Sequence, residues 1–218
     1  MSQASAEGDT SLSPAAALAV LNNQQRIVSG RLGGYIWIIT ATWGAAWLFG
    51  FLAIWLMDSH FSGFPLPIWL GWTIFGALFA AAIVVSAVLG IRSGRGIRSN
   101  SANSFTGTVY GVTWAVAMLS IGVFGAALLS HGMSAGLADL FYPSAYTLVV
   151  GILYLAAAAI WRVVQMIIAG AFFIVLAAVA PFAGHPINYL VFGIAGGAMF
   201  FTLAIFGAVR LRSVVARG

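Results

Sequence analysis

The chain has 218 residues, of which 62% are hydrophobic and 6% charged, and a formal net charge of +5; ordinary soluble domains carry about 25% charged residues. Such a composition describes an integral membrane protein of one domain, with no polar stretch long enough for a second folded unit. There is no cysteine, which excludes disulfides, thiolate metal sites, iron–sulfur clusters and cysteine nucleophiles.

The N-terminal tail, 1–32, is expected in the cytoplasm. Within it "SLSPAAALAVLNNQQRIVSGR" predicts a short amphipathic helix over about 14–29. Ser13 serves as its N-cap and Pro14 as its first helical residue. Leu18, Leu21, Gln25 and Val28 share one side, fit to lie on the inner leaflet or to dock a partner.

A membrane-spanning helix needs about 20 mostly apolar residues. Segments of that kind occur at 33–57, 67–91, 105–130, 140–160, 164–183 and 187–209, and a cytoplasmic tail follows at 210–218. The stretch 140–183 is interrupted only by "WRVVQ" at 161–165. As one helix at about 1.5 Å per residue it would be about twice the hydrocarbon thickness. Two helices with a tight turn near Arg162 are therefore predicted. The fold class is an all-α membrane protein: six transmembrane helices arranged as three hairpins.

Every basic residue is an arginine: Arg26, Arg31, Arg92, Arg95, Arg98, Arg162, Arg210, Arg212 and Arg217. With six spans all of them fall on one face, and the loop acids Asp58 and Asp139 fall on the other. The positive-inside rule makes the arginine face cytoplasmic, so both termini are inside and the location is the plasma membrane. A basic balance of this origin does not predict a nucleic-acid partner.

No Asp, Glu, Lys, Arg or His lies in the middle of a predicted span. Proton-coupled carriers usually place an ionisable residue there, so a self-sufficient antiporter is not expected. Prolines 65, 67, 143, 181 and 186 fall toward the outer ends, which leaves no proline-broken helix at mid-membrane. Gly107 and Gly111 form a G-x-x-x-G, and "GIAGGA" at 193–198 is a smooth patch. Both are expected to pack closely within the chain, a dimerising face being the other reading. Trp43 and Trp47 lie one helical turn apart, placed for packing or for an aromatic ligand pocket.

Shifting the chain by 71 residues aligns Thr42, Trp43, Ala46, Leu48, Ser59 and His60 with Thr113, Trp114, Ala117, Leu119, Ser130 and His131. This points to duplicated hairpins. The third hairpin ends its outgoing helix in Gly184-His185. The three histidines of the chain, His60, His131 and His185, thus lie at one level on the outer face, with Asp58 and Asp139 near them. If they converge, three imidazoles and a carboxylate suit Zn²⁺, Cu²⁺ or Ni²⁺, and the same set would sense external acidity. The competing reading is a histidine that bonds carbonyls at each helix end. There is no Walker A loop, no G-x-S-x-G and no H-E-x-x-H, so the chain is not expected to be an enzyme.

The order of "LNNQQ", "TWGAAWLFGFLAIW", "YLAAAAIW" and "HPINYLVFGIAGGAMF" resembles a group of uncharacterised small six-helix integral membrane proteins of actinobacteria, loosely labelled transporters. The likeness runs from about residue 15 to 209. The group carries Pro-His-Asn-Tyr where this chain has His185, Pro186, Ile187, Asn188 and Tyr189. The resemblance implies six helices and a role in transport. The expected function is a small permease, or the membrane component of a transport system with an ATP-binding or other membrane subunit. The alternatives are an outer-face metal-binding or pH-sensing protein, and a structural or assembly factor.

Overall fold

A computed structural model describes residues 13–57, 65–94 and 101–215. All regular structure among them is helical: α1 (Pro14–Leu56), α2 (Ile68–Gly94), α3 (Ser101–Ser130), α4 (Ala135–Trp161), α5 (Val164–Val179), a 3₁₀ turn (Ala180–Ala183), α6 (Ile187–Val191), a π segment (Phe192–Gly196) and α7 (Gly197–Val215). Six stretches are long and apolar enough to cross a membrane, the sixth combining α6, the π segment and most of α7.

Each boundary has a local cause. Ser134 accepts the Leu137 N–H at 3.3 Å and opens α4, as an N-cap serine should. Arg162 adopts a left-handed conformation (φ +56), which closes α4 and lets α5 begin at Val164; this is the tight turn expected there. The Leu66 N–H bonds the Leu56 carbonyl at 2.8 Å, tying the segment before α2 to the end of α1.

Two elements differ from expectation. The short helix expected at 14–29 and the span expected at 33–57 lie in a single helix, which runs through Gly30, Gly33 and Gly34. Glycine costs a helix interior about 1 kcal/mol but does not clash as proline does. The sixth span is not a regular α-helix either, because a π segment occupies Phe192–Gly196. Gly193, Gly196 and Gly197 there press against Leu48, Trp47 and the carbonyls of α1. Such π segments widen a helix locally and let its backbone shift against a neighbour.

The centre of the bundle is aromatic. Trp47 packs on Phe173 of α5 and Phe200 of α7 with ring centroids 5.2 and 5.7 Å apart. Phe51 meets Phe192 at 5.7 Å. Trp47, Phe173, Phe192 and Phe200 are all buried. Trp43 donates its Nε1–H to Ser86 Oγ of α2 at 2.9 Å. Packing therefore accounts for Trp43 and Trp47.

Between apolar lipid tails, helices associate through close contact rather than through the hydrophobic effect. At α4 and α5 a Cβ on Gly151 would stand 2.8 Å from the Gly170 carbonyl, and one on Gly170 would stand 2.8 Å from the Gly151 carbonyl. The backbones touch there. Gly107 and Gly111 of α3 behave oppositely: nothing lies within 4 Å of an added Cβ among the described residues. The close packing expected for that G-x-x-x-G within the chain is not found, because α3 contacts α4 through Tyr110, Gly122 and Gly125, on another face. Only 6% of the apolar window of α2 and of α3 is buried, against 33% for α1, so these two helices are peripheral.

Candidate functional site

Polar side chains of the described spans are mostly occupied within their own helix. Thr42 and Thr113, equivalent in the internal repeat, each donate to the carbonyl four residues earlier at 2.8 Å. This is the usual way a hydroxyl is satisfied inside a helix. Their neighbours Trp43 and Trp114 both face adjacent helices, Trp114 lying edge-on to Tyr154 of α4. Two depressions in the surface, one along Val109, Val112 and Val116 of α3 and one between Leu52 of α1 and Ile194, are apolar.

Among the described residues, several polar side chains gather where α4 meets the turn before α6, around Asp139 in the second turn of α4. Its backbone carbonyl accepts a hydrogen bond from Asn188 Nδ2 at 2.9 Å. Its Oδ1 accepts one from the Tyr189 hydroxyl at 3.0 Å. Its Oδ2 lies 3.6 Å from His185 Nδ1. The His185 and Tyr189 rings meet edge to face, with centroids 5.7 Å apart.

The turn from the 3₁₀ helix into α6 delivers these three residues. Gly184 has φ +72 and ψ 166, a region open essentially to glycine alone. Its carbonyl accepts the Asn188 N–H at 2.8 Å, and its own N–H bonds the Pro181 carbonyl at 3.0 Å. The His185–Pro186 peptide is cis. Asn188 is fully buried, and its Oδ1 has no hydrogen-bond partner. An acceptor buried in that state costs about 1–3 kcal/mol. The His185 and Asp139 side chains remain 38% and 37% exposed, so the cluster is open on one side.

The expected outer-face residues separate as follows. Asp139 and His185 are neighbours. His131 ends α3 exposed, and its Nδ1 stands 2.8 Å from the Ala127 carbonyl; a carbonyl only accepts, so that nitrogen carries the proton. This is the carbonyl-bonding reading of a helix-end histidine. His60 and Asp58 lie outside the described residues. Among the described residues no three His, Cys, Asp or Glu side chains gather as a metal site would require.

Asn188 and Tyr189 are the partners that sequence reasoning missed. Their signal was present as a buried-type amide and a phenol next to His185, but Asp139 is 49 and 50 residues away in the chain. Comparison of the chain with protein-family models, with curated proteins and with solved structures finds no match.

Proposed function

We propose that this polytopic membrane protein is the membrane-embedded component of a transport system in the plasma membrane, working with an ATP-binding or other membrane subunit. The observation that carries this reading is the filled centre of the bundle. Trp47, Phe51, Phe173, Phe192 and Phe200 interlock in one buried cluster contributed by α1, α5, the π segment and α7, with no open space between them for a solute. A membrane component that shares the pathway with a partner has no need of an internal route. The arginines at the ends of spans, among them Arg92, Arg162 and Arg212, support three hairpins with both termini cytoplasmic.

The test is purification of the full chain in mild detergent, followed by reconstitution with and without whatever subunit accompanies it in stoichiometric amount. The reading expects a membrane or ATP-binding partner, and solute movement only when both are present. Movement by the chain alone would make it a small permease. A chain that purifies alone and moves nothing would remove the transport reading and favour a structural or assembly role.

A further inference from the structure

We infer that this chain pairs with a second copy of itself in the membrane, α3 against α3, through the face that carries Gly107, Gly111 and Ala115. That face reads Gly-Thr at 107–108, Gly-Val at 111–112 and Ala-Val at 115–116, followed by Leu119. A small residue recurs every fourth position with a β-branched neighbour beside it. On a helix the small residues form a groove and their neighbours a ridge along one side. All seven residues are exposed, and among the described residues nothing lies within 4 Å of a Cβ on Gly107 or Gly111. The described chain packs α3 on α4 elsewhere, through Tyr110, Trp114 and Gly125.

Shape, charge and area name a second copy as the occupant. A depression of about 380 Å³ runs beside the ridge, lined by Thr108, Val109, Val112, Thr113, Val116 and Ala117. All of these belong to α3, so the described chain supplies no second wall. Two copies inserted in one orientation bring α3 to α3 in parallel, with Gly107, Gly111 and Ala115 at matching depths. The ridge of each then enters the groove of the other, as a two-fold contact between identical surfaces requires. α3 holds no Asp, Glu, Lys or Arg, so it carries no charge to repel its own image. Val112, Val116, Leu119 and Val123 are each more than half exposed. A helix laid along this face from 107 to 123, about 24 Å, covers about 500 Å² per copy and about 1,000 Å² in all, the area a specific interface clears. The bilayer already orients both copies, which lowers the entropy that association must offset. Valine and threonine are stiff in a helix, so little side-chain freedom is lost. Against lipid tails the two glycines would only weaken the helix.

The experiment is oxidative cysteine cross-linking of the full chain in native membranes, where the lack of native cysteine leaves a clean background. Gly107→Cys, Gly111→Cys and Ala115→Cys should each give a band of twice the chain mass, while Ser120→Cys, on the far side of α3, should stay single. Gly111→Leu should lower the Ala115→Cys cross-link about tenfold or more. Among the described residues nothing obstructs a side chain there, so the variant should keep its fold, which far-UV circular dichroism and size-exclusion profiles check. Light scattering in mild detergent should find two copies per particle for the native chain and one for Gly111→Leu. The assignment is overturned if Ser120→Cys cross-links as readily as Ala115→Cys, if the native chain is single in both membranes and detergent, if folded Gly111→Leu still pairs, or if Gly111→Cys is joined to a different protein.

Discussion

Asp139 holds three residues of one turn with three different atoms: its carbonyl, Oδ1 and Oδ2 face Asn188, Tyr189 and His185. Each link has its own consequence. Tyr189→Phe removes one side-chain hydrogen bond and keeps the ring, so it should lower stability by about 0.5–1.5 kcal/mol, read from thermal unfolding in detergent. Gly184→Ala acts through the backbone. At φ +72 and ψ 166 a side chain is strained by about 1–3 kcal/mol, and relief of that strain would swing His185 away from Asp139. The expected result is a lower midpoint together with a loss of any function that depends on the His185–Asp139 pair. An unchanged midpoint would mean that the turn tolerates another conformation.

At the scale of elements, small residues act in opposite ways according to what faces them. Gly151 and Gly170 let α4 and α5 meet backbone to backbone, and the carbonyls in the way cannot move aside as a side-chain tip can. Gly151→Ala should cost about 1–3 kcal/mol, the usual penalty of overpacking. Among the described residues Gly111→Ala meets nothing within 4 Å, and it removes a poor helix former. It should leave stability unchanged or raise it by up to about 1 kcal/mol. Thermal melts of the two variants side by side check the contrast; equal destabilisation would show that α3 packs on that face after all. The G-x-x-x-G spacing is legible in sequence, but which face of α3 meets α4 is not. That depends on Tyr110, whose hydroxyl reaches the Leu153 carbonyl at 2.9 Å, and on Gly125, which receives Tyr142.

For the whole molecule the proposed orientation can be mapped directly, because the chain contains no native cysteine. Gly136 lies in the first turn of α4 and Val163 just beyond its other end, beside Arg162. In intact cells an impermeant maleimide should label Gly136→Cys, and should label Val163→Cys only after the membrane is opened. The reverse pattern would place the arginines outside and invert the proposed topology.

Six spans were legible because a bilayer demands about 20 apolar residues per crossing, a local property that composition alone reveals. The turn at Arg162 was legible for the same reason, since an unbroken helix would have been too long. The continuity of α1 and the π segment at Phe192–Gly196 were not. Glycines in a helix mark where it can yield, while the neighbour pressed against it decides whether it does. The outer-face residues show the same division. Sequence placed Asp139 and His185 at one level, because their distance from span ends is set by chain length. Their meeting and the burial of Asn188 against the Asp139 carbonyl were decided by how α4 packs against the turn before α6, and the engagement of His131 by its own helix. Such contacts join residues about fifty positions apart, and their energy is gained only once the helices have docked.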